Sequence, residues 1–355
     1  MTSSARLQRV WLVATCVLLV LYLIPYSGEF SAARGGILGS DASARTMIVS
    51  PEQCLQSAID RAQAGDVISL TSGVWSESLV LTKSLTIRGA GDSAISGSSA
   101  IAPVITIGDG SASAQIIVRI SDVRIEGLAG QTTSNSAENT CSQSGIVIQG
   151  KAVLELNSCQ VSDNLGSGVI VKDEATFSAV DSSIHGNGGG RPFRSDLEDL
   201  DGVLVKDQGS ATLLRTSLAG NADVGAWVRD DGTLLLEDCE IHTNFQGIEV
   251  WHRSSATVAH CRIWDNEENG VLIWDSARIG VDQSVIEANG RYGVALARTD
   301  CCSYCDSHKE GEGLAFTGCL SGGGNQITGN GVSPVCPASI GFLSSGARGT
   351  TCPPP

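Results

Sequence analysis

The chain repeats itself between Gly145 and Gly293, and this repetition restricts its possible folds more than any other feature. Glycine returns at Gly145, Gly168, Gly202, Gly225, Gly247, Gly270 and Gly293, in steps of 23, 34, 23, 22, 23 and 23 residues. An asparagine follows each of the first six by 19 residues: Asn164, Asn187, Asn221, Asn244, Asn266 and Asn289. Counted from each glycine, offsets 1 and 3, 9 and 11, and 16 are apolar, as in Ile146 and Ile148, Leu154 and Leu156, and Val161. Offset 14 holds only small residues: Cys159, Ser182, Thr216, Cys239, Cys261 and Ser284. Such alternation predicts three short strands in every repeat.

One repeat carries too little apolar surface to fold alone, so the repeats must stack, each strand pairing with its copy one turn away. Strands stacked this way are parallel and about 4.8 Å apart. The expected fold is therefore all-β: a right-handed parallel β-helix, a solenoid of about 22–23 residues per rung. A leucine-rich repeat has a similar period, but it needs L-x-x-L-x-L spacing and a helical back, and neither is present. The recurring text GVxVxDxxxAxLxxCxIxxN resembles the repeat of the pectin-lyase-like superfamily. The resemblance runs from about Ser50 to Arg298 and implies the fold far more than the function, since that fold hosts lyases, hydrolases, esterases, epimerases and non-enzymes.

The chain's ends read differently. Arg6 and Arg9 precede an apolar run from Val10 to Ile24, ended by Pro25 and followed by the small residues Ser31, Ala32 and Ala33. The run suits a signal peptide and is short for a spanning helix, which needs about 20 residues. Residues 1–33 are thus a cleaved signal or an N-terminal membrane anchor, and either places the body in an extracellular, periplasmic or cell-surface location. Residues 34–49 read as a linker. Ser50, Pro51 and Gln53 form a helix start, with Leu55, Ala58, Ile59 and Ala62 on one face, as a cap for the first rung. The β-helix is expected over 50–300, and a Cys-rich cap with a Pro tail over 301–355. Cys301, Cys302, Cys305, Cys319, Cys336 and Cys352 suggest disulfides in an exported chain. The alternative is a zinc site of Cys302, Cys305, His308 and Cys319. Cys239 and Cys261 fall on neighbouring rungs with parallel side chains, which suits buried free thiols better than a disulfide.

The net charge of −15 argues against nonspecific nucleic-acid binding. The candidate site is the strand after each repeat glycine, on the side facing away from the core. Offset 4 there reads Gln149, Lys172, Lys206, Arg229, Trp251 and Trp274; offset 2 adds Trp227 and Glu249; offset 5 reads Asp173, Asp207, Asp230, His252 and Asp275. Aromatic rings take the apolar faces of sugars and basic groups pair with carboxylates, so Lys172, Lys206, Trp227, Arg229, Glu249, Trp251, His252 and Trp274 are the expected contacts for a polysaccharide or cell-surface glycan. The competing reading is a solvated strand face with turn-capping aspartates. Insertions at 128–144 and 188–201 enter just before this strand and project from one corner.

Catalytic signatures that the superfamily resemblance would imply are missing. There is no NTD, GHD or RIK, and Arg262-Ile263-Trp264 is only a near miss. No DPH or GRPW occurs either. Asp230 and Asp231, with Arg229 beside them, are the remaining candidates for acid–base work, and Ca²⁺ held by the aspartate column would suit lyase chemistry. The sequence therefore favours a monomeric polysaccharide-binding or scaffold protein, with a lyase, hydrolase or epimerase on an acidic glycan as the alternative. N-terminal sequencing of exported protein is expected to begin near Arg34; recovery of Met1 makes the chain membrane-anchored instead.

Overall fold

The computed structural model describes residues 44–110, 115–128, 143–189, 200–297, 301, 316–344 and 348–352. All of them fall in one compact unit, Ala44–Pro355. The chain winds as a right-handed parallel β-helix, and each rung contributes the three strands that the alternation predicts. Among the described residues, ten strands stack into one sheet, from Leu79–Leu81 through Val169–Val171, Val203–Val205, Val224–Val228, Gln246–Val250 and Val271–Ile273 to Ser333–Cys336. The other two strands of each rung, such as Val153–Asn157 and Gln160–Ser162, build the second, bent sheet. Register is fixed by the repeat: Val171 pairs with Val205 and Val205 with Val228. Offsets 1 and 3 point inward and are fully buried throughout.

The repeat glycines hold the rungs together at one bend. A Cβ on Gly225 would lie 2.7 Å from the Gly247 carbonyl oxygen and 2.8 Å from Ile241 Cγ2. Those atoms belong to the next rung and the core, so no side chain fits. The asparagines line up along the axis as their spacing predicts. They are buried inside the corner rather than exposed along it. Each Nδ2 donates to the Oδ1 of the next asparagine, at 2.8 Å from Asn164 to Asn187 and 3.1 Å from Asn244 to Asn266. Their Oδ1 atoms also accept the backbone N–H of the asparagine before them. Left-handed backbone is instead taken by the residue preceding each asparagine, including Asp163, Thr243 and Asp265. The reason is satisfaction of buried amides: a corner amide facing inward must find partners, and its copy one rung away is the nearest.

Both ends depart from the expected boundaries. Thr46–Val49, within the segment read as linker, forms a strand paired with Val67–Leu70. The capping helix α1 spans Leu55–Arg61 and begins later than Ser50. Ser50 and Gln53 close a turn instead, while the Glu77 carboxylate accepts the N–H groups of Leu55 and Gln56 at 2.7 and 2.9 Å. A carboxylate from a neighbouring rung thus replaces the local cap. Leu55, Ala58, Ile59 and Ala62 are buried as predicted. The solenoid also continues past residue 300: Cys319–Gly323, Gln326–Thr328 and Ser333–Cys336 pair in parallel with the preceding rung. Asn330 accepts from Asn289 at 2.9 Å and extends the ladder. The turn Ala338–Ser344 then buries Ile340 and Leu343 over the open end.

Asn244→Ala is expected to lower stability by about 3 kcal/mol, because it leaves neighbouring buried amide groups unpaired. Asn330→Ala, at the half-exposed end of the ladder, should cost about 1 kcal/mol. Urea denaturation of the two variants checks this; equal small losses would mean that the ladder is incidental.

Candidate functional site

The outer side of the ten-stranded sheet is where the sequence places its candidate contacts. Lys172, Lys206, Arg229, Trp251 and Trp274 each follow a strand whose last residues, Val171, Val205, Val228, Val250 and Ile273, are paired in register. These five positions therefore form one line along the axis. The face is not the solvated surface that the alternation alone suggests. Leu204 and Leu272 at offset 2 are fully buried, and Trp227 is 7% and Glu249 5% exposed. Ile170, Leu204, Val224 and Trp227 make one apolar cluster, against which Val147 and Trp251 pack. Leu272, Tyr292, Ala295 and Cys301 make a second, joined by Trp274.

Three tryptophans connect these clusters. Trp227 meets Trp251 edge-on with ring centroids 5.1 Å apart, and Trp251 meets Trp274 at 4.7 Å with a 45° tilt. The Arg229 guanidinium lies 4.9 Å from the Trp227 ring centre, a cation–π contact. The Trp251 indole N–H donates to Glu249 Oε2 at 2.9 Å. His252 packs its ring edge against Trp251 at 5.9 Å and places Nδ1 3.0 Å from Asp230 Oδ1.

The aspartate column has a structural explanation. Asp173, Asp207, Asp230 and Asp275 all adopt left-handed backbone at the bend after the strand. Asp173 Oδ2 accepts the Gly150 N–H at 2.8 Å, Asp207 Oδ2 that of Asp173 at 3.0 Å, and Asp230 Oδ2 that of Asp207 at 3.3 Å. Asp231 instead receives two hydrogen bonds from Arg253, at 2.8 and 2.7 Å, and that guanidinium holds its carboxyl below the usual range. Asp230 and Asp231 are thus engaged by different partners, and neither is arranged as an acid–base pair with the other.

A different carboxyl pair emerges, one that sequence reasoning only half found. Glu249 was in view at offset 2, but its burial was not. Asp223, two residues before Gly225, carried no repeat signal. Burial first, and the Glu249 charge second, push the Asp223 carboxyl well above the ordinary carboxylate range. The two carboxyls oppose each other's ionisation, and the Trp251 indole donates to the Glu249 carboxyl.

A family model described as "Right handed beta helix region" matches residues 201–348. Solved structures share the winding at low identity. A Geobacillus virus E2 protein, ORF18, aligns with TM-score 0.53 and 11% identity over 81% of this chain and 62% of its own. An alginate lyase from Paenibacillus sp. str. FPU-7 aligns with TM-score 0.48 and 16% identity over 82% and 99%. Pectate lyase Pel9A aligns with TM-score 0.49 and 11% identity over 72% and 75%. The chain is a right-handed parallel β-helix. No curated protein matches its sequence.

In this β-helix the terminal cysteines cross-link the last rung. Cys301 is bonded to Cys336 and Cys319 to Cys352, which suits an oxidising compartment. Cys319 is therefore unavailable to the zinc site considered above, whose other members, Cys302, Cys305 and His308, lie outside the described residues. Among the described residues, no group of three or more His, Cys, Asp or Glu side chains could hold a metal ion. Also among them, no helix is long and apolar enough to cross a membrane, and residues 10–24 are outside this set. Cys159, Cys239 and Cys261 are buried free thiols, and burial raises the Cys159 thiol to about 11.

The raised Asp223 carboxyl has a definite sign in stability. An acid whose folded pKa is raised costs nothing below its unfolded value of about 3.9, and stability falls as pH climbs from there through the folded value. Asp223→Asn should therefore raise the melting temperature at pH 7 and leave it unchanged near pH 3. Thermal melts at the two pH values test this; a destabilised variant at pH 7 would refute it.

Proposed function

We propose that this β-helix is an exported or cell-surface protein that binds polysaccharide along its axis, as a monomer, on the outer face of the ten-stranded sheet. The observation that carries the reading is the line of Lys172, Lys206, Arg229, Trp251 and Trp274 in strand register. Strand spacing makes that line roughly 19 Å long, the reach of a short run of sugars. Close stacking of Lys172, Lys206 and Arg229 opposes stability, because like charges on paired strands repel. Among the described residues, neither Lys172 nor Lys206 forms an ion pair, so both remain available to anionic groups of a glycan. The half-buried Trp251 and Trp274 rings supply an apolar surface at the other end of the line.

A second reading, an enzyme of the lyase, hydrolase or epimerase type, has one supporting observation. Asp223 and Glu249 lie close enough to interact, and the Asp223 carboxyl is raised above its ordinary range, as a general acid requires. Ca²⁺ fits less well as a resident cofactor. The aspartate column directs carboxylate oxygens to backbone N–H groups, and the described residues assemble no metal cage.

A glycan array probed with and without Ca²⁺, followed by assay of each bound polymer for chain cleavage, separates the two readings. The double variant Trp251→Ala with Trp274→Ala should lose about 2 kcal/mol of binding, roughly 1 kcal/mol per aromatic contact. Unchanged affinity in a folded double variant removes this face, and the insertion at 191–201 becomes the next place to look.

A further inference from the structure

Among the described residues, Glu249 is the one charged member of its column, which otherwise holds apolar residues and Thr106. Val147, Ile170, Leu204 and Trp227 precede it in register, and Leu272 and Ala295 follow. It is 5% exposed, between the fully buried Leu272 and the nearly buried Trp227. A carboxyl there gives up hydration that an apolar residue of similar size would not need. It accepts a hydrogen bond from the Trp251 indole. Donation of that N–H to an anion raises electron density over the indole ring. The ring face then attracts the positive edges of C–H bonds more strongly and opposes the approach of a second anion. Asp223 places another carboxyl within electrostatic range of Glu249.

The charges along the line are therefore polarised. Lys172 and Lys206 lie at one end, and Arg229 spans the junction, its guanidinium over Trp227 and its Nε 3.9 Å from Asp230. Glu249 lies at the other end, hydrogen-bonded by Trp251. Burial weakens solvent screening, so Glu249 can act on a ligand resting on the rings without touching it.

We infer that the Trp251–Trp274 half of the face takes an uncharged sugar unit and that Glu249 excludes uronates from it, so that the ligand is a mixed polysaccharide with acidic units at Lys172 and Lys206 and a neutral unit at the tryptophans. The inference rests on the polysaccharide-binding reading and narrows its ligand from an acidic glycan to one carrying both kinds of unit.

The test uses the full chain and oligogalacturonates of one length in three forms: unesterified, half methyl-esterified and fully methyl-esterified. These share linkage and differ chiefly in charge. Wild type should bind the half-esterified form on the order of ten-fold more tightly than the unesterified one. Glu249→Gln keeps the side chain's size and an acceptor for the Trp251 N–H. It should reduce that preference about ten-fold. Lys172→Gln with Lys206→Gln, both outside the core, should weaken binding of the half-esterified form more than that of the fully esterified form. The inference is overturned if wild type binds the unesterified form at least as tightly. It is equally overturned if Glu249→Gln is folded by circular dichroism and leaves the preference unchanged, or, should that variant not fold, if the lysine pair weakens all forms equally. Binding of none of the three forms removes the polysaccharide reading together with this one.

Discussion

Hydrogen bonding between each rung and its copy is the interaction on which everything else depends. A strand such as Val203–Val205 satisfies its backbone only by pairing with Val169–Val171 before it and Ala226–Val228 after it. Any residue type that suits one rung therefore becomes a column, and each column either reinforces the stack or opposes it. The asparagines reinforce it, since an amide both donates and accepts and can pair with its own copy. The small residues at offset 14 do so differently: Ser182, Thr216 and Ser284 turn their hydroxyls to the carbonyl two residues earlier. Both columns spend polar groups inside the corners, leaving the interior apolar.

The same rule makes exceptions to a column informative. A lysine–arginine run is a column that opposes stacking, and Glu249 is a charge within a column otherwise uncharged among the described residues. These two exceptions meet on one sheet face, beside tryptophans that join two apolar clusters outside the core. Their gathering in one place is what motivates the binding surface proposed for this face. The aspartates of offset 5 are the contrasting case: they too look chemical, but their carboxylates hold the N–H groups of the bend and so belong to the scaffold.

The ends of the solenoid face a different problem, because a terminal rung has a partner on one side only. At the start, α1 covers the core and Gln56 both donates to and accepts from the backbone of Val80 on the first strand of the ten-stranded sheet. At the finish, Ile340 and Leu343 close the core and two disulfides restrain the last rung. The described ends thus rely on local covers and cross-links where the middle relies on repetition.

The repeat alone determined the winding, the strand register, the inward set of apolar residues and the line of five candidate contacts, because each follows from a period that one chain displays in full. The asparagine ladder was legible as a column, but its burial was not: an offset specifies stacking and leaves open which side of a bend the side chain takes. The helix start at Ser50 read locally as a cap, yet Glu77 from another rung supplied it. Trp75, buried in the first rung with its indole N–H bonded to the Ser50 carbonyl, had no periodic signal. Above all, Asp223 and Glu249 could not be recognised as a pair until folding brought them together, Glu249 buried and Asp223 half-buried. Burial and pKa depend on the sum of neighbours from several rungs, and that sum exists only in the folded molecule.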